Sequence, residues 1–359
     1  MFGLRMFLLL CLLGGAHPCL GGVITVDPSG SGDYLTLPEA WGPAAATDTI
    51  LMMAGTHLVG HGQAGWPLTL DSDSPTVVGP EPPGEAVLLG DRATRAFCIP
   101  EDTDNARMRF HHLTFRDIGD VLSRADPSGG DGGRLIFTDN IVEGCGATSF
   151  GDRALDASHC GQNSVVARNV FRSNPGTALY LWFNSGLIED NEVCYNTLGI
   201  IAVPDGWPTI ERNHVHHNTG LGIGTSFDDR VMDNLIEYNG HGLSVYYCGF
   251  FTGNVIRYNT LGVRVGYPEA LFQGNDIYGN ITYNMQVRDF ITGSAWTWDC
   301  TMNWWGTTDP AAIAASIWDR NDNPELSVIV EFDPWCVAEG CEPTSVQESS
   351  WGAIKALFR

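Results

Sequence analysis

Residues 191–218 read NEVCYNTLGIIAVPDGWPTIERNHVHHN. Two asparagines five apart, Asn191 and Asn196, return here as Asn213 and Asn218. Outward from this stretch the pair recurs as Asn169 and Asn174, Asn234 and Asn239, Asn254 and Asn259, and Asn275 and Asn280. The first asparagines lie 22, 22, 21, 20 and 21 residues apart, and self-similarity at such a period is the signature of a solenoid. Two residues after each first asparagine stands an apolar residue: Phe171, Val193, Val215, Ile236, Ile256 and Ile277. After each second one comes a short strand whose residues alternate with period two, with Ile200 and Ala202, Ile223 and Thr225, Leu243 and Val245, Val263 and Val265, and Met285 and Val287 on one face. Another short strand, as in 186–189 or 270–273, leads back to the next asparagine. Three short strands per period describe one rung of a parallel β-helix.

Coiling stacks equivalent positions at the strand spacing of roughly 4.8 Å, which suits an amide ladder of Asn on Asn. Asn also tolerates the left-handed backbone of a sharp corner, so the first asparagine of each pair is expected to be the corner residue. A leucine-rich repeat has a similar period but needs leucines at fixed offsets that are missing here.

The repeats resemble those of right-handed parallel β-helix proteins of the pectate-lyase-like superfamily, in particular the secreted NosD-type proteins. The run Asn213-His214-Val215-His216-His217-Asn218 followed by Gly222-Ile223, and the closing Asn303-Trp304-Trp305-Gly306, carry the likeness. It covers about 23–335 and implies an all-β, right-handed parallel β-helix solenoid with an N-terminal capping helix and a short C-terminal cap. The superfamily holds lyases, hydrolases, esterases, epimerases and non-catalytic proteins, so the resemblance specifies fold more than activity.

A repeat array of 359 residues is expected to be one continuous unit. Forty-two acidic against nineteen basic residues give a formal charge of −23, which argues against nucleic acid or an anionic membrane as partner. An acidic surface accommodates calcium and neutral or cationic glycans; polyanionic pectin would need a local basic groove or a metal to offset it. No segment is long and apolar enough to span a bilayer, and a monomer is expected.

Residues 1–22 carry Arg5, an apolar run over 6–13 and small residues at Ala16 and Gly21, the pattern of a secretory signal peptide. Export, to the periplasm, cell surface or medium, follows. Without Cys11 and Cys19, eight cysteines remain, and in an oxidising compartment they are expected to form disulfides rather than metal sites, with Cys145–Cys160 and Cys336–Cys341 as pairs that each close a short excursion. Thr36 and Glu39 form a capping box opening a helix through Ala46, similar to the helix that closes the core of related β-helix enzymes. Candidate strands follow at 77–79, 87–89, 108–115 and 135–137; the Gly/Asp loop 126–133 lacks the spacing of a calcium loop. Beyond Asn303 a short helix is expected over 310–318, a last strand over 326–332, and a loop and tail over 336–359.

β-Helix enzymes work from side chains outside adjacent strands, since the inside is filled. The outward set is Tyr180, Ile201, Gly224, Ser244, Arg264 and Gln286, then Trp182, Val203, Ser226, Tyr246, Gly266 and Arg288, with Asn184, Asp205, Asp228, Asp229, Tyr247, Tyr267 and Asp289 at strand ends. Aromatic faces beside carboxylates and arginines resemble a glycan groove. Asp205, Asp228, Asp229 and Arg264 are therefore the candidate catalytic set, and Tyr180, Trp182, Tyr246 and Arg288 the candidate substrate-binding set. Aligning Gly199 with Gly222 stacks Asp205 one rung from Asp228. Pectate lyases need a calcium cluster and a basic residue, for which Arg264 or Arg288 would serve. Polygalacturonases pair an acidic set with Gly-His-Gly, but Gly240-His241-Gly242 follows Asp229 by half a rung. No pectinesterase motif follows the N-terminal helix. His214 and His216 share an outward face but show no third ligand, so no metal site is assigned. The expected function is an exported protein that binds, and as a lyase or glycoside hydrolase would cleave, an extracellular polysaccharide; a non-catalytic surface, adhesion or spacer β-helix is the second reading.

Overall fold

The computed structural model describes residues 21–100, 105–124, 133–146, 152–266, 269–288 and 296–340. The expected signal segment, most of the Gly/Asp loop, Tyr267, Asp289, Cys341 and the tail lie outside them. The chain coils into a parallel β-solenoid whose rungs contribute one strand to each of three parallel sheets, of 11, 10 and 11 strands. One rung runs through Leu187–Glu189 in the first sheet, Glu192–Cys194 in the second and Leu198–Ala202 in the third. Successive rungs are in register, so Val193 pairs with Val215 and Val215 with Ile236.

Two amide ladders hold the corners. Asn191 Oδ1 accepts the backbone N–H of Asn169 at 3.0 Å and its Nδ2 at 2.9 Å, while Asn191 Nδ2 donates to Val166 O at 2.9 Å. The pattern repeats from Asn140 through Asn213, Asn234, Asn254 and Asn275 to Asn303, all buried. A second ladder runs from Asn174 through Asn196, Asn218, Asn239 and Asn259 to Asn280. These amides satisfy corner carbonyls and N–H groups that no strand can reach, where an orphan would cost about 1–3 kcal/mol. One expectation is corrected. The left-handed residue is the one before each ladder asparagine: Arg168, Asp190, Arg212 and Asp233 before the first ladder, and Ser173, Tyr195, His217, Tyr238 and Tyr258 before the second. That residue turns the chain, and the asparagine after it is left free to aim its amide along the solenoid axis.

Inside, apolar side chains stack rung on rung. Phe115, Phe137 and Phe171 lie with centroids 5.6 and 6.2 Å apart, followed by buried Val193, Val215, Ile236, Ile256 and Ile277. The helix Leu37–Trp41 carries the expected Thr36/Glu39 capping box and buries Leu37 and Ala40. It stops short of Ala46 because Pro43 has no N–H with which to continue it. At the other end Asp309 caps the helix Pro310–Ala315, after which Ile317–Trp318 joins the third sheet instead of prolonging the helix. Val328–Glu331 pairs in parallel with Trp296–Asp299. Among the described residues no helix is long and apolar enough to cross a membrane.

The disulfide expectation fails for most of the cysteines: Cys98, Cys145, Cys194, Cys248 and Cys300 are free thiols, so Cys145 is not bonded to Cys160. Cys145 shows why. It occupies the place of a ladder asparagine, its N–H donating to Asn174 Oδ1 at 2.9 Å and its Sγ to Phe115 O at 3.5 Å, so the sulfur is turned inward. Its supposed partner Cys160 follows an ordinary third-sheet strand, Arg153–Asp156. The Cys336–Cys341 pair involves a residue outside those described.

Candidate functional site

The outward row on the third sheet lies in the expected register, with Tyr180 beside Ile201, Ile201 beside Gly224, Gly224 beside Ser244, Ser244 beside Arg264 and Arg264 beside Gln286. The middle of this flank carries only small side chains. Its low-numbered side is closed to a ligand. The Arg153 guanidinium lies 3.3 Å from the Tyr180 ring centroid and pairs with Asp156 at 2.7 Å, and Trp182 packs against His159 and Phe183 at 5.4 and 5.3 Å.

Among the described residues the high-numbered side is open. Tyr246 is 48% exposed, and its ring lies across Gly266 on the next rung, where a Cβ would meet ring carbon Cδ2 at 2.1 Å. The absence of a side chain at Gly266 is therefore what lets the ring lie on the sheet. Tyr247 stands at 88° to it, 5.0 Å away, and is itself stacked on Phe227 at 4.4 Å. Arg264 is half-buried beside this ring and Arg288 is exposed, its Nε donating to Gln286 Oε1 at 3.1 Å. Among the described residues neither arginine has a carboxylate partner, unlike Arg153, Arg168, Arg172, Arg212 and Arg257. Burial, and then the charges of Arg264 and Arg288, hold His241 below the ordinary histidine range.

The three carboxylates are not alike. Asp205 is exposed on a wide turn beside Trp207; Asp228 is half-buried in a tighter one, in contact with Cys248. Eight residues separate Ile201 from Thr209 but six separate Gly224 from Arg230, so counting forward sets Asp228 opposite Asp205 and counting backward sets it opposite Trp207. Asp229, expected on the groove surface, is 1% exposed at the start of the strand Asp229–Met232 and accepts the Ser226 N–H at 3.0 Å. Burial, reinforced by Asp228, raises its carboxyl well above the ordinary carboxylate range. It closes a turn from inside the protein. His241 opens a third-sheet strand, whereas Asp228 lies where the chain leaves that sheet.

The second sheet carries a cluster that sequence reading left incomplete. His214 and His216 do share an outward face, and the preceding rung sets Glu192 beside His214 and Cys194 beside His216. One ligand atom each from Glu192, Cys194 and His216 lies within 4.8 Å of the others. The signal was available, since Glu192-Val193-Cys194 and His214-Val215-His216 occupy the same place in successive repeats. Along the adjoining corner Tyr195, His217, Tyr238 and Tyr258 form a column with centroids 5.0, 5.1 and 5.4 Å apart. These rings cover one another's faces and expose their edges.

Residues 121–311 match the family model described as periplasmic copper-binding protein (NosD). No curated protein matches the sequence. Among solved structures, the A-module of mannuronan C-5 epimerase AlgE4 from Azotobacter vinelandii is similar, with a TM-score of 0.52 and 14% identity over 81% of this chain and 91% of that one. The AlgE6 A-module from the same organism gives a TM-score of 0.41 and 15% identity over 82% and 91%. The likeness to these epimerases is one of fold.

Proposed function

This chain belongs to the family of periplasmic copper-binding proteins (NosD), and on that premise we propose that it is an exported β-helix that binds a polysaccharide along its third sheet. The observation that carries the reading is Tyr246 laid across Gly266 beside two arginines that, among the described residues, have no carboxylate partner. A tyrosine held down on a rigid sheet offers apolar contact area at small entropic cost, and guanidinium groups donate to sugar hydroxyls or uronate carboxylates. The A-modules of similar fold are named for an epimerase that acts on mannuronan, a polysaccharide. Binding without turnover is the form favoured here, because Asp229 is buried away from the flank and Asp205 and Asp228 sit in turns of unequal length. Asp228 and Arg264 are the groups that turnover on this flank would use.

The test is affinity electrophoresis of the purified protein in gels cast with a panel of neutral and acidic polysaccharides, with reducing ends and unsaturated uronates followed in parallel. Retardation by at least one polysaccharide, lost by about tenfold in Tyr246→Ala and Arg264→Gln, is expected. Retardation that survives both substitutions would place the ligand elsewhere, and release of new chain ends would make the protein an enzyme.

A further inference from the structure

We propose that Glu192, Cys194 and His216 form a copper(I) site on the second sheet, with His217 orienting His216 from behind. The four outward positions of two paired strands, Glu192–Cys194 and His214–His216, make a square of donors: carboxylate, thiol and two imidazoles. His216 Nε2 lies 3.4 Å from Glu192 Oε1, and Cys194 Sγ 3.9 Å from the same oxygen. Three donor types thus converge on one point from two rigid strands rather than from loops.

The surroundings set up these atoms for ligation. His216 Nδ1 is 2.8 Å from His217 Nδ1, so one ring donates to the other. When His216 is the donor, its Nε2 carries the free lone pair on the side of Glu192 and Cys194. A ligating histidine usually donates its other ring N–H in this way, which fixes its tautomer and raises its basicity. The second imidazole, His214, is held to one side: its Nε2 lies 3.1 Å from Glu237 Oε1, and Glu237 also accepts from Arg257 at 2.8 Å. Its ring centroid is 4.1 Å from that of His216.

The donor set selects the cation. A thiol and an imidazole suit a soft ion; calcium and magnesium, which take six or more oxygens, do not fit. The soft thiolate favours copper(I); zinc(II), which three protein ligands and a water also suit, is the competing ion. The family description also names copper. Binding is a displacement: the S–H bond breaks, the S–Cu bond forms and one proton leaves to solvent, with no change of oxidation state.

The full chain, carrying Cys98→Ser and Cys248→Ser to remove the two half-exposed thiols, is titrated anaerobically with copper(I) against a chromogenic copper(I) chelator. One tight equivalent is expected. Cys194→Ser and His216→Gln should each weaken it by more than about 100-fold, and His217→Phe, which keeps the ring stack but removes the nitrogen, by about tenfold. Glu192 is exposed, so Glu192→Gln folds whatever Cys194→Ser does; it too should weaken binding, with an unchanged melting midpoint. In a second readout, copper(I) should protect Cys194 from alkylation in peptide maps. Affinity unmoved by Cys194→Ser and Glu192→Gln, Cys194 alkylated equally with and without copper, or zinc(II) displacing copper(I) at equal concentration would each overturn the assignment.

Discussion

At the residue scale, this chain is governed by amides and carboxyls that have no water to fall back on. Asn213 donates through Nδ2 to Ile188 O and to Asn234 Oδ1, and its own Oδ1 accepts from Asn191, so one side chain serves two rungs. Asn213→Ala and Asn234→Ala should each destabilise by about 1–3 kcal/mol, read from urea midpoints at constant m-value, because each strands buried partners. Asp229 gives a different signal. Its carboxyl is raised above the ordinary 3.8, so the folded state holds a proton that the unfolded state has lost above about pH 4. A raised carboxyl contributes stability that is complete below its unfolded pKa and is lost as pH rises through the folded one. The wild type should therefore lose up to about 1.4 kcal/mol per pH unit from Asp229 above pH 4 until that carboxyl ionises. Asp229→Asn should flatten this slope between pH 4 and 8 relative to wild type, as measured by chemical denaturation; identical slopes would show the carboxyl to be ionised and paired. The ladder was legible in the sequence because a period marks it. The burial of Asp229 was not, because it depends on a turn two residues shorter than that of the preceding rung.

At the scale of the strand, the neighbouring rung decides what a side chain can do. Tyr246 was legible as outward, but its posture was not, since it depends on Gly266 one rung later. Gly266 lies outside the left-handed region, so the backbone accepts a side chain there while the ring above does not. Gly266→Ala should lift Tyr246 off the sheet and weaken polysaccharide retardation about as much as Tyr246→Ala does, with a change in stability below about 1 kcal/mol. An unchanged affinity would remove the posture of this ring from the binding account. The same rule explains the two misreadings on the second sheet and at the corners. The partners of His216 lie one repeat, 22 residues, earlier and not along its own strand. Cys145 was read as one end of a disulfide from its distance in sequence to Cys160. Its ladder position opposite Asn174 shows it standing in for an asparagine.

At the scale of the whole molecule, charge acts with opposite sign at long and short range. The chain carries a formal charge of −23, which repels a polyuronate before contact, yet Arg264 and Arg288, without a carboxylate partner among the described residues, present cations where contact is made. Salt separates the two effects because they differ in distance. The Debye length is about 30 Å at 0.01 M and about 10 Å at 0.1 M, so added salt first removes the repulsion spread over the solenoid. A guanidinium in hydrogen-bond contact with a carboxylate is screened much less over that range. Retardation by polygalacturonate should therefore strengthen between about 10 mM and 0.1 M NaCl and weaken only toward 1 M, where contact pairs are screened as well. A neutral glucan bound on the same flank should show no comparable dependence, since its contacts are stacking and hydrogen bonds. Arg264→Gln should remove the decline toward 1 M for the polyuronate while leaving the neutral glucan nearly unaffected by salt. Polyuronate binding that falls steadily from the lowest salt upward would mean that the flank is electropositive at all distances, and that the acidic surface does not select among ligands.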